Sequence, residues 1–143
     1  MSKLSQTLLE LMKERNINGV QLAQMSNISK SALNDFLLDK STPSFNAFLK
    51  LLNFFNCSAD YLLGREDIPR DEKFYEALPF HARLRQILND YKISQEQLKR
   101  DLHVSGSVVY KWISGKSKPS MHTLILLADY FDCSVDFLIG RVR

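Results

Sequence analysis

Shifting the chain by 76 residues lays its second half on its first without a gap, and no other property narrows the fold so far. Between Ser5 and Arg65, 18 positions are identical at this offset, among them Leu22/Leu98, Ser29/Ser105, Ser31/Ser107, Lys40/Lys116 and Pro43/Pro119. Both copies close on Cys-Ser-x-Asp, and Leu62, Gly64 and Arg65 then match Leu138, Gly140 and Arg141. A solenoid stacks many short units that cannot bury their faces alone. Two units of this length, each with enough apolar positions for its own core, read instead as two globules. The expected division is 1–66, a linker at 67–79, and 80–143. The linker is acidic, holds Pro69 and Pro79, and has room for a turn of helix at Asp71 to Ala77.

Within each copy the apolar spacing is helical. Leu4, Leu8, Leu11 and Met12 fall at i, i+4, i+7 and i+8, and Leu84, Ile87, Leu88 and Tyr91 repeat the idea. Phe48, Leu51, Leu52 and Phe55 define a longer helix capped by Ser44; Leu124, Leu127, Ala128 and Phe131 define its counterpart behind Ser120. A short last helix follows Ser58 or Ser134. Asp60 or Asp136 sits in its first turn, where the helix dipole favours an anion, and Gly64 or Gly140 ends it. The expectation is five helices per copy and no strand.

The most informative stretch is Ser94 to Pro119 and its copy, Asn18 to Pro43. Ser94 can cap a helix, with Gln97 in the reciprocal capping-box position. Leu98 and Leu102 share one face of it. After a Leu-His-Val turn, Ser105 caps a second helix with an expected inward stripe of Val108, Val109 and Trp112. Gly106, Ser107, Tyr110 and Lys111 are expected outward. Ser114-Gly115 stops that helix, and Lys116-Ser117-Lys118-Pro119 makes a basic loop. In the first copy Lys30, Ser31 and Asn34 are expected outward and Ala32, Leu33 and Phe36 inward.

A helix opening on Gln, a turn ending in an aliphatic-Ser pair, then Trp, Gly and a loop Pro resembles the helix-turn-helix of the Cro/repressor (XRE) family, almost end to end in both copies. The resemblance implies an all-α fold of two tandem five-helix lambda-repressor-like domains. It further implies sequence-specific binding to double-stranded DNA by a cytoplasmic prokaryotic or phage transcription regulator, a repressor. An α-helix fits the major groove, where each base pair shows its own donor and acceptor pattern. Family resemblance places Gln95 at phosphate or base. It turns Gly106, Ser107, Tyr110 and Lys111 to the groove, and Lys116, Ser117 and Lys118 to the phosphate backbone. The matching first-copy positions include Gly19, Lys30, Ser31, Asn34, Asp35, Lys40, Ser41 and Thr42. Asn34 suits adenine, and Lys30 suits guanine or phosphate. Repressors of this kind bind palindromes as dimers with half-sites about 34–36 Å apart; a linker of roughly 12 residues reaches about 40 Å. One chain could supply both heads, or a homodimer four.

The first copy departs from the pattern. Gly19 replaces the amide residue, Asp35 stands opposite Lys111, and Asp39 opposite Gly115. Carboxylates oppose a polyanion, so the second copy is expected to bind better. The first copy is then free to serve association, with Leu37-Leu38 beside Phe36 as its sticky patch. That gives a second reading, an antitoxin or anti-repressor holding a protein partner. Charge agrees in direction: residues 1–66 carry 7 Lys/Arg against 6 Asp/Glu, while residues 80–143 carry 10 against 6.

Other chemistry finds little footing. Cys57 and Cys133 are too few for a disulfide scaffold or four-ligand zinc site and read as small buried hydrophobes. His81, His103 and His122 show no metal-ligand spacing. Gly115-Lys116-Ser117 ends like a phosphate-binding loop, but Tyr110 occupies the position of the required leading glycine. No paired-carboxylate, Ser-His or Cys-His arrangement points to an enzyme, and no cofactor or small-molecule site is expected. No apolar run approaches the roughly 20 residues of a membrane span, and the first residues lack the apolar core of a signal peptide.

Overall fold

The structure, a computed structural model, describes residues 2–70 and 72–142. Every regular element among them is a helix, as the apolar periodicity requires. The chain divides into two compact units, Met1–Phe74 and Tyr75–Arg143. The first carries α1 (Lys3–Glu14), α2 (Gly19–Ser26), α3 (Lys30–Leu37), α4 (Phe45–Phe55) and α5 (Ala59–Leu62). The second repeats them as α6 (Phe80–Tyr91), α7 (Gln95–Leu102), α8 (Gly106–Ser114), α9 (Met121–Tyr130) and α10 (Val135–Leu138). None of these helices is long and apolar enough to cross a membrane.

All of these helices except α6 start behind a side-chain oxygen that accepts a first-turn N–H: Ser2, Asn18, Ser29, Ser44, Ser58, Ser94, Ser105, Ser120 and Ser134. Each such cap is worth about 1 kcal/mol. The complete capping box is in α2, where Asn18 and Gln21 exchange bonds of 2.8 and 2.9 Å. At α7 the structure shows the Ser94 half, donated by the Gln97 N–H at 3.0 Å. Where the helices stop is equally regular. Left-handed backbone recurs at 16/92, 27/103, 39/115, 56/132 and 64/140, each pair 76 residues apart. The two units therefore turn their chains at the same points even where the residue has changed.

Each unit closes on its own core. Leu8, Leu22, Leu33, Phe48, Leu51 and Leu52 are shut off from solvent in the first unit; Leu84, Leu98, Leu124, Leu127 and Ala128 do the same in the second. Full burial of such a side chain contributes about 1.5–3 kcal/mol. That burial holds α5 and α10, four residues each and far below the length at which a helix persists alone. Leu62 and Leu138 anchor them, both at 0% exposure.

Asp60 and Asp136 do more than meet a helix dipole. The Asp60 carboxylate pairs with the Arg65 guanidinium, and Asp136 pairs with Arg141 at 2.6 Å. The peptide N–H of each arginine also donates to its partner's carbonyl at 2.8 Å. Asp136 and Arg141 are 3% and 2% exposed.

Part of the expected linker is woven into the second unit. The Tyr75 and Leu78 N–H groups donate to the carbonyls of Arg141 and Ile139, at 2.8 and 3.0 Å. Residues 72–79 contain no helix. The helical turn expected at Asp71 to Ala77 is therefore absent over 72–77, because these N–H groups find distant rather than local carbonyls; Asp71 itself lies outside the described residues. Leu78 lies so close over Gly140 that a Cβ there would fall 2.8 Å from its side chain.

Candidate nucleic-acid interface

The two helices that carry the motif are α7 and α8 in the second unit, α2 and α3 in the first. In each unit the second helix buries one side and exposes the other. Val109, Trp112 and Ile113 are 1%, 4% and 8% exposed, spaced i, i+3, i+4. Val109 and Trp112 lie inward as expected, and one reading is corrected. Val108, expected inward, is 37% exposed, because the buried set centres on Val109 and Ile113 and leaves Val108 on the rim. In the first unit Leu33 and Phe36 are buried and Ala32 is half-buried.

Outside that stripe, Gly106, Ser107, Tyr110 and Lys111 are exposed, as are Lys30, Ser31 and Asn34 in the first unit. Ser107 Oγ lies 3.1 Å from Ser105 Oγ, so the cap and the ridge share a hydroxyl contact. Gln95 is exposed at the first position of α7. Its counterpart Gly19 opens α2 close to α3: a Cβ there would stand 3.9 Å from Asn34 Oδ1.

The loop after the second helix is fixed to it by an equivalent backbone bond in both units, joined in the first by the Lys40 N–H donating to the Asp35 carbonyl at 2.9 Å. The Ser117 N–H donates to the Lys111 carbonyl at 3.2 Å, and the Ser41 N–H to the Asp35 carbonyl at 3.4 Å. Lys116, Lys118, Lys40 and Ser41 are exposed and Ser117 is half-buried. Lys116 folds back so that its ammonium lies 5.3 Å from the Tyr110 ring centre. Loop and ridge are thus one surface in the second unit, and its charge is positive.

The first unit differs at the same places. Asp39 takes the left-handed conformation (φ 59°) that Gly115 adopts at φ 82°. Its carboxylate is engaged by Ser2, the cap residue of α1; those hydrogen bonds hold its pKa below the ordinary carboxylate value, so it stays charged. Asp35 is half-buried.

Two features escape the residue patterns. Tyr130 on α9 donates to the Asp101 carboxylate on α7 at 2.6 Å and braces the first helix of the motif. Partial burial, then this hydrogen bond, pushes the Tyr130 phenol up to about 12. Lys99 on α7 reaches α8: a Cβ on Gly106 would sit 3.4 Å from Lys99 Cδ. Its ammonium pairs with Glu96 at 3.0 Å. The signal lies in the repeat, since Ala23 and Lys30 stand where Lys99 and Gly106 do.

Among the described residues no group of three His, Cys, Asp or Glu side chains is placed to hold a metal ion. Cys57 is buried and Cys133 half-buried, both as reduced thiols.

Comparison with known proteins adds the family. The helix-turn-helix family HTH_3 matches residues 8–62 and again residues 84–138. The HTH-type transcriptional activator BcrR of Enterococcus faecalis is 34% identical over 63 residues, 44% of this chain and 31% of its own. The uncharacterized HTH-type transcriptional regulator YobD of Bacillus subtilis is 33% identical over 58 residues, 41% of this chain and 52% of its own. The HTH-type transcriptional regulator ImmR of Bacillus subtilis is 30% identical over 67 residues, 47% of this chain and 53% of its own. The chain thus spans about half or less of the length of these relatives. No solved structure matches it at comparable stringency.

Proposed function

The chain belongs, in both of its halves, to the helix-turn-helix family of the Cro/repressor (XRE) type, and from that premise we propose that it regulates transcription by binding a defined double-stranded operator. The observation that carries the reading is the second unit's ridge. Gly106, Ser107, Tyr110 and Lys111 stand exposed on a helix whose opposite side is buried, and Lys116 and Lys118 stand exposed on the loop clamped beneath it. A rigid helix with a small and polar outer face enters a major groove, and flanking lysines meet phosphate.

The mode of action we propose is repression, because two DNA-gripping heads supply operator occupancy, and occupancy alone blocks a promoter. The second unit is the stronger binder. Its loop and ridge carry Lys111, Lys116 and Lys118, whereas the first unit offers Lys30 and Lys40 beside Asp35 and the charged Asp39. The test is binding of the full chain to its operator, mapped by footprinting, as salt is raised. Lys111→Ala and Lys116→Ala should each weaken binding and flatten the dependence of log affinity on log salt by about 0.9 for every phosphate left without its lysine. Unchanged slopes in both would remove these lysines from the interface.

A second reading gives the first unit a protein partner, in the manner of an antitoxin or anti-repressor, or a role in homodimer formation. Its support is the exposure of Leu38, 65%, although the rest of the expected patch is covered, Leu37 being half-buried and Phe36 buried. Light scattering of the full chain tests the dimer. Leu38→Glu shifting the mass from two chains to one would favour association through this face, and an unchanged mass would exclude it.

A further inference from the structure

We infer that Lys99 is a phosphate-binding residue of the second unit, standing in for the cation that the first unit carries at Lys30 on the opening turn of its second helix. The inference rests on the reading that the second unit binds DNA. The starting point is a paired exchange between the copies. The first unit has Ala23 on its first motif helix and Lys30 at the start of its second; the second unit has Lys99 and Gly106 at those positions. These are two substitutions seven residues apart in sequence, and the structure shows that they touch. A Cβ on Gly106 would lie 3.4 Å from Lys99 Cδ. Gly106 opens α8 and has no positive φ, so the backbone makes no demand for glycine there. A Cβ there would meet the aliphatic stem of Lys99 at ordinary van der Waals distance, so the two positions pack against each other. A long lysine stem lying on a neighbouring backbone while its ammonium reaches water is a familiar way of delivering charge at a distance.

The ammonium is delivered close to the start of α7. Lys99 pairs with Glu96 at 3.0 Å, and Glu96 directly follows Gln95, the first residue of that helix. The Glu96 side chain is 74% exposed and that of Lys99 is 33% exposed. An ion pair so open to solvent contributes little on its own, and a phosphate can displace the carboxylate. Without DNA, Glu96 therefore holds Lys99 in place; at the duplex, a backbone phosphate takes over its partnership. The first unit has Val20 where Glu96 stands, so the holding carboxylate accompanies the relocated cation.

The experiment measures affinity of the full-length protein for a labelled mixed-sequence duplex across a salt series. Lys99→Ala restores the first unit's own residue, Ala23, at a position that unit shows to be compatible with the fold; circular dichroism verifies it. The variant should bind more weakly, and its salt slope should fall by about 0.9. Adding Gly106→Lys to Lys99→Ala moves the charge to the first unit's arrangement and should restore the slope. Glu96→Gln should tighten binding at low salt by removing the competing carboxylate. An unchanged slope in Lys99→Ala, or a loss that Gly106→Lys fails to restore, overturns the inference. If Lys116→Ala still lowers the slope in either case, the DNA-binding reading survives and only the role of Lys99 is lost. If no variant, Lys111→Ala and Lys116→Ala included, changes the slope, the reading itself is at fault.

Discussion

In the second unit the Lys116 ammonium stands 5.3 Å from the centre of the Tyr110 ring, joining a loop residue to a helix residue six positions earlier. A cation over an exposed aromatic face gains about 0.5–1 kcal/mol. The contact is made by the ring face, not the hydroxyl. Tyr110→Phe should therefore leave the contribution of Lys116 to DNA binding intact. Tyr110→Ala should release the lysine and weaken binding roughly two- to fivefold, the equivalent of that energy. A double-mutant cycle with Lys116→Ala isolates the coupling from any groove contact made by Tyr110 itself. Equal effects of Lys116→Ala in the wild-type and Tyr110→Ala backgrounds would show that the ring does not position the ammonium.

The twin ion pairs give a stability prediction in which each unit is the other's control. Asp136 and Arg141 are both buried, with side chains 4% and 2% exposed, whereas the Arg65 side chain is 24% exposed. Removing one member of a buried pair strands the other charge and costs about 3–5 kcal/mol. Asp136→Ala should approach that cost in denaturant unfolding. Asp60→Ala should cost clearly less, because Arg65 can turn to water. Equal losses would mean that burial of the arginine does not set the penalty.

Much of this architecture is legible in the residues, and what is not has one cause. Leu8 and Leu84, the serine caps and the glycines at 64 and 140 each act within a turn or two of chain, so local spacing suffices to place them. The outer ridge follows too, because Ser107 and Lys111 share a face by helical geometry alone. Val108 defeats local spacing because the partner helices, not α8, choose which edge of its apolar side is covered. The helical turn expected after Asp71 loses to hydrogen bonds with Ile139 and Arg141, more than sixty residues away. Asp136 reads as a dipole residue because its partner lies beyond the end of a four-residue helix. Lys99 and Gly106 read as two unrelated departures until the folded chain puts them in contact.

Tyr130 offers a titration that reports on how the motif is braced. Its phenol is raised to about 12, by partial burial first and by the Asp101 hydrogen bond second, from a reference value near 10. A raised pKa means the folded protein holds the proton more tightly than the unfolded chain. The associated stability is fully present below about pH 10 and disappears as pH climbs from about 10 to about 12. Ultraviolet titration of tyrosinate should show a late step near pH 12 that Tyr130→Phe abolishes. Asp101→Asn should move that step down, since it removes the charge while leaving the burial. A step near pH 12 that keeps its full amplitude in Tyr130→Phe would undo the assignment.

The imbalance between the units is open to transplantation. Asp35 stands where the second unit has Lys111, and Asp39 stands at φ 59° where it has Gly115 at φ 82°. Asp39 is the more instructive of the two. A non-glycine residue in left-handed backbone costs roughly 1–2 kcal/mol, and here the carboxylate has Ser2 as a partner across to α1. Asp39→Gly relieves the strain and forfeits the tie, so stability should change little in thermal unfolding. Binding is another matter, since Asp35→Lys with Asp39→Gly converts two negative charges into one positive beside a loop that already offers Lys40. The double variant of the full chain should bind duplex DNA more tightly at low salt, with a slope steeper than wild type by about 0.9 for the one additional phosphate engaged. If affinity and slope both stay at wild-type values, charge is not what separates the two units, and the weakness assigned to the first must lie in the shape of its motif, beginning with Gly19 where the second unit has Gln95.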